Sequence, residues 1–180
     1  DGPMSRGLGD VYKRQAIDQL SVTIVIYAPA SLTVDANELS QPQSIIFSSA
    51  ENEQVHAFFY PPTSAHYCAE PTERPLVIAM CHGGPTSATG SSLNLKIQYW
   101  TNRGFAVVDI NYRGSTGFGR RYRQGLVSAW GVADVEDTQH ALSHLANEGK
   151  IDFDRCIIRG GSAGGYTVPV SYTHLRAHET

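Results

Sequence analysis

Apolar positions along the chain fall into short runs whose spacing switches repeatedly between the strand period and the helix period. Ser21 to Tyr27 is β-branched and roughly alternating, which predicts a strand. Ile45 to Phe47 and Val55 to Tyr60 flank the polar stretch Ser48 to Gln54 and predict an antiparallel hairpin closed by Pro61-Pro62. Leu76 to Met80 is a continuous apolar run between Pro75 and His82-Gly83-Gly84-Pro85, the pattern of a strand buried on both faces of a parallel sheet. Leu93 to Arg103 places Leu93, Ile97 and Trp100 on one helical face, with Gly104 as its C′ residue. Phe105 to Ile110 predicts the next buried strand, and Arg120 to Gly125 a short helical turn. Val132 to Glu148 carries the strongest helical pattern, with Val132, Val135, Leu142 and Leu145 on one stripe and Gly149 after it. Asp134, Glu136 and Asp137 lie in its first turns, where carboxylates suit the helix dipole and serve in capping and salt bridges. Cys156 to Arg159 predicts a third parallel strand.

Strand, helix, strand, helix, strand is the order of βαβ units, so the expected architecture is α/β, a mostly parallel sheet with an N-terminal antiparallel hairpin. Sites on such sheets lie beyond the carboxyl ends of the strands. Three glycine-rich loops follow strand ends here, His82 to Pro85, Asn111 to Gly119 and Gly160 to Gly164, and are expected to converge on one rim.

The last of these loops carries chemistry. An apolar run leads into Gly160-Gly161-Ser162-Ala163-Gly164, and a helix-compatible segment follows. That is the G-x-S-x-G order of a nucleophile elbow, in which a strained turn lifts a serine hydroxyl above the sheet edge at a helix N-terminus. Ser162 is the expected nucleophile, with Gly160, Gly161 and Gly164 shaping the turn. A phosphate loop fits less well: Ser162 stands where G-x-G-x-x-G needs glycine, and Gly165 is followed by Tyr166, not by the Lys-Ser/Thr of a Walker loop.

Composition narrows the setting. The 180 residues are 41% hydrophobic and 17% charged, enough for one domain with a core. A net charge of -3 offers no basic stripe for nucleic acid, and no apolar run reaches the roughly 18 residues of a membrane span. Cys68, Cys81 and Cys156 lack metal-ligand spacing and read as small buried residues in a reducing compartment, so the expected location is cytoplasmic. Residues 1–15 and 169–180 have neither period, resemble translated adapter sequence and are expected to be non-native, which sets His174 and His178 aside as candidate bases.

HGGP at 82 to 85, the segment 98 to 119, WGVADVED at 130 to 137 and GGSAGG at 160 to 165 stand in order and at consistent spacing. Together they resemble the catalytic domain of the prolyl oligopeptidase family, on its acylaminoacyl-peptidase and dipeptidyl-aminopeptidase-like branch. The resemblance covers roughly Leu39 to Thr167. It implies the N-terminal part of an α/β-hydrolase fold at 39–168, preceded at 16–38 by a remnant of a β-propeller or a linker. The implied reaction is hydrolysis of short or N-blocked peptides through an acyl-enzyme on Ser162. The triad Asp and His would lie downstream, beyond this chain. Ala163 N–H and Gly84 N–H are the implied oxyanion donors, and His82 is read as shaping its loop. No metal or organic cofactor is implied. A carboxylesterase or lipase on the same fold is the alternative activity, and a catalytically inactive fragment the alternative state of these residues.

Other residues take plainer roles. Arg113 is expected to brace Asp, Glu or nearby carbonyls, and Trp100, Tyr112 and Trp130 to pack in the core or loops. His140 and His144, one turn apart, are expected on a solvated helix face.

Overall fold

Alternation of side chains decides how the hairpin enters the sheet. In β3 (Gln43–Ser48), Ile45 and Phe47 point inward while Ile46 between them is 54% exposed. β3 pairs antiparallel with β4 (Gln54–Tyr60), Ile45 opposite Ala57 and Phe47 opposite Val55, as the apolar pattern predicts. The computed structural model describes residues 14–17, 23–27, 34–66, 69–70 and 72–168. Cys68 and the expected adapter-like segment 169–180 fall outside them. β1 (Arg14–Ile17) pairs antiparallel with β2 (Thr23–Tyr27), so strand structure begins inside the stretch 1–15 that shows no side-chain period. Backbone pairing to the β-branched β2 accounts for it.

Three further strands complete the main sheet: β5 (Val77–Cys81), β6 (Ala106–Asn111) and β7 (Cys156–Gly160). The order is β3-β4-β6-β5-β7. β4 meets β6 antiparallel, and β5 lies parallel to both β6 and β7. The sheet is therefore mixed, with the expected hairpin at one side and the parallel strands at the other. β7 is its edge among the described residues, and Ile157 there is 45% exposed.

Each face of the sheet is covered by a helix. α3 (Ala133–Asn147) sets Leu142 and Leu145 against Val77, Ala79, Val108 and Ile110. α1 (Leu95–Thr101) sets Ile97 against Tyr60, Ile78 and Val107 on the other face. Asn94 caps α1 by accepting from Lys96 N–H at 3.0 Å, and Gly104 takes φ +86 just beyond it. α2 (Gly119–Gln124) is the short helix expected after the Asn111 loop. Val132 departs from the expected stripe: it stands before the first helical residue and is 58% exposed, so the helical period does not reach it.

Asp109 is the costly residue in this core. It lies in β6 beside Met80 of β5, on the face that carries Tyr60 and Val107, and burial pushes its carboxyl up to about 6, against a bond from Thr89 that pulls it down. Its ordinary value is 3.8, so the folded state holds the proton more tightly than the unfolded chain. Stability should therefore fall as pH rises from about 4 to about 6 and stay lower above, by on the order of 2–3 kcal/mol. Asp109→Asn is expected to remove this component. Unfolding midpoints of the two proteins at a series of pH values give the check, and parallel curves across that window would contradict it.

Candidate active site

β7 runs parallel to β5 and delivers Gly160 opposite Cys81 at the carboxyl end of the sheet. The chain then turns at Ser162, which adopts φ +55, and α4 (163–168) begins with the next residue. A left-handed conformation in a residue that is not glycine costs of order 1–3 kcal/mol and persists only where the surroundings hold it. Here they do. A Cβ on Gly160 would stand 2.2 Å from the carbonyl oxygen of Gly164, and one on Gly164 would stand 2.3 Å from that of Cys81. The turn is thus closed on itself and pressed onto the end of β5.

Gly161 differs from the role expected of it. No heavy atom lies within 4 Å of where its Cβ would be, so the tight turn does not require glycine there. Gly83 does: its Cβ would meet Gly161 O at 2.9 Å and Ser162 Cβ at 3.3 Å. The loop after β5 therefore passes directly against the elbow. Gly84, next to it, takes φ +58, and Ser87 N–H donates to its carbonyl at 2.7 Å to close a turn. The Ser162 hydroxyl is exposed, and no His or Asp side chain among the described residues hydrogen bonds to it. The N–H groups of Gly84 and Ala163 likewise meet no acceptor among the described residues.

His82 ties the first two loops together. Its Nε2 lies 2.7 Å from Ser115 Oγ and its Nδ1 3.1 Å from Gly83 O, while its ring stacks on Tyr112 at 4.3 Å. Tyr112 is buried, and its hydroxyl donates to His82 O at 2.9 Å. Burial lowers the His82 pKa. These contacts fit a residue that shapes its loop.

Two carboxylates of α3, Asp134 and Asp137, face inward and brace the other two loops. Asp134 and Asp137 are both fully buried. Asp134 accepts from Gly131 N–H at 2.7 Å and from the Thr167 hydroxyl, which fixes α4 directly behind Ser162. Asp137 accepts from the Arg113 N–H at 2.7 Å, from Arg113 Nε at 2.9 Å and from the Ser49 hydroxyl at 2.5 Å. Arg113 Nη2 also donates to Glu136 at 2.9 Å, so the bracing role expected of Arg113 is what the structure contains. Burial raises the Asp137 carboxyl despite the Ser49 and Arg113 bonds that lower it. Burial works to lower the Arg113 pKa, but Asp137 and Glu136 outweigh it.

Two expectations need adjusting. His140 and His144 are half-buried, not solvated: His140 Nδ1 lies 2.7 Å from Glu136 O, and the His144 ring stacks on Phe47 at 5.8 Å. Trp130, 53% exposed, packs from its loop on Tyr166 at 5.7 Å, and Trp100 and Tyr112 pack inside, within what was expected of all three. Cys81 is buried as expected, but Cys156 is only partly so. Among the described residues no group of three or more His, Cys, Asp or Glu could hold a metal ion, and no helix is long and apolar enough to cross a membrane.

A serine held above a sheet edge can attack a carbonyl once a general base takes its proton, and unpaired N–H groups near it can stabilise the resulting oxyanion. Residues 91–177 match the prolyl oligopeptidase family. The acylamino-acid-releasing enzyme of Sus scrofa is 40% identical over 97 residues, which are 54% of this chain and 13% of that protein. A puromycin hydrolase crystal structure superposes with a TM-score of 0.80 at 41% identity, over 84% of this chain and 23% of that one. An acylaminoacyl peptidase in complex with Z-Gly-Gly-Phe-chloromethyl ketone gives 0.66 at 26% identity, over 75% and 21%. The chain thus spans about an eighth of the curated relative's length.

Glycine substitutions separate the elbow's parts. Gly160→Ala and Gly164→Ala should each cost about 1–3 kcal/mol or more through backbone overlap, while Gly161→Ala should stay within about 0.5 kcal/mol. Urea unfolding of the three variants measures this, and equal losses at all three would contradict the geometry.

Proposed function

We propose that this chain, whose residues 91–177 match the prolyl oligopeptidase family, carries the nucleophile and oxyanion hole of a serine peptidase that acts on short or N-blocked peptides. The observation that carries this reading is the left-handed turn at Ser162, held by Gly160 and Gly164 against Cys81. In the proposed reaction Ser162 Oγ bonds to the carbonyl carbon and gives its proton to a general base. The carbonyl oxygen, now negative, takes hydrogen bonds from Gly84 N–H and Ala163 N–H, each donor of this kind being worth about 100- to 1000-fold in turnover. Collapse expels the amine, which receives the proton from that base, and leaves an acyl ester on Ser162. Water then repeats the sequence and frees the acid.

No imidazole or carboxylate among the described residues reaches Ser162, so we assign the base and its orienting acid to sequence beyond them. In the same reading, 39–168 is the N-terminal part of an α/β-hydrolase peptidase domain and 16–38 belongs to a linker or a propeller before it. These residues alone would then be catalytically inert. No cofactor enters, since side chains and backbone N–H groups do the acyl and proton chemistry.

Elbow and HGG loop also suit an esterase, so the substrate needs a direct test. The full-length enzyme should hydrolyse an acyl-alanyl anilide, and Ser162→Ala should lower kcat by about a million-fold. Hydrolysis of a simple acyl ester with none of the anilide would remove the peptidase reading in favour of a carboxylesterase.

A further inference from the structure

The loop that presents Gly84 leaves β5 at Cys81 and returns through residues 85–89, of which Thr86 to Ala88 are exposed. Exposed loop backbone wanders unless something holds it, and an oxyanion donor works only when its N–H is aimed in advance. The outgoing limb is held by His82 on Ser115 and by the Tyr112 hydroxyl on His82 O. The returning limb is held differently. Thr89 N–H donates to Asn111 Oδ1 at 2.8 Å, and Asn111 Nδ2 donates back to Thr89 O at 3.2 Å. One side-chain amide thereby occupies both backbone groups of Thr89, as a neighbouring strand would. The Thr89 hydroxyl donates to Asp109, and Thr116 N–H donates to Ser87 O at 2.9 Å.

Asn111 and Asp109 are respectively 1% and 7% exposed. Burying an amide and a carboxylate at the end of a core strand costs free energy that apolar residues of similar size would not. Their hydrogen-bond partners in the loop are atoms of a single residue, Thr89, five positions beyond Gly84. We propose that Asp109 and Asn111 are positioning residues, which act through Thr89 to aim the Gly84 N–H at the oxyanion. The proposal rests on the serine peptidase reading above and adds to it the part of the fold that sets the donor.

The oxyanion exists in the transition state and not in the bound substrate, so a misaimed donor lowers kcat and leaves KM nearly unchanged. In the full-length enzyme, Asn111→Ala and Thr89→Val should each lower kcat by about 10- to 100-fold, part of the full loss expected for a missing donor. Thr89→Ser keeps the hydroxyl and should restore kcat to within about threefold of the parent. The final extent of fluorophosphonate labelling counts folded sites in each protein, so kcat is expressed per labelled site. A fall in kcat per labelled site at constant KM, rescued by serine, is the expected result. Unchanged kcat per labelled site, with loss only in the number of sites, would show a purely structural clamp and overturn the proposal. Thr89→Val reports independently should Asn111→Ala fail to fold. A parent enzyme that neither takes the label nor cleaves any peptide or ester would defeat the peptidase reading itself, and that is seen before any variant is made.

Discussion

The structure depends on one close approach of backbone to backbone. The elbow after β7 packs so tightly on the end of β5 that a methyl group at Gly164 would overlap the Cys81 carbonyl, and one at Gly160 would overlap the elbow's own next turn. Only glycine satisfies that spacing, and the spacing leaves Ser162 no choice but φ +55. The strain is local, and the sheet beneath supplies what holds it. β5 is buried between two parallel neighbours, so its end is among the least mobile points of the fold.

From that contact outward, buried polar residues hold the rim. Asp134 anchors α4 behind the serine, Asp137 holds Arg113 and its loop, and Asn111 holds Thr89. Each carboxylate or amide is buried, and each offsets part of that cost through hydrogen bonds to a different part of the rim. The helix α3 is thus two things at once: Leu142 and Leu145 seal the core, while its acidic residues at 134 and 137 set the loops. Loops that carry chemistry are ordinarily the softest parts of a fold, and here they are tied to its hardest.

Much of this was legible in the sequence, for definite reasons. The strands near 45, 55, 76, 105 and 156 follow from apolar runs and alternation, because burial on one or two faces imposes those patterns. Ser162 stands out because a strained turn needs glycines at fixed offsets. What stayed hidden depends on distant partners. Nothing local distinguishes a buried Asp134 from a solvated helix-cap acid, since its partner Thr167 is 33 residues away. The clamp of Asn111 on Thr89 spans 22 residues and joins the end of β6 to the loop after β5. Gly83, not Gly161, faces the elbow because of how two loops meet, which no spacing rule encodes. Val132 continued the apolar period on paper and left it in space, one residue before the helix begins.

The central claim is that Ser162 is the nucleophile of the active enzyme. Mass-spectrometric mapping of the adduct formed when the full-length protein is inactivated by a fluorophosphonate tests it directly. The account predicts a single stoichiometric adduct on Ser162, formed in step with the loss of hydrolysis. Full inactivation with the adduct on another residue, and Ser162 unmodified, would contradict it.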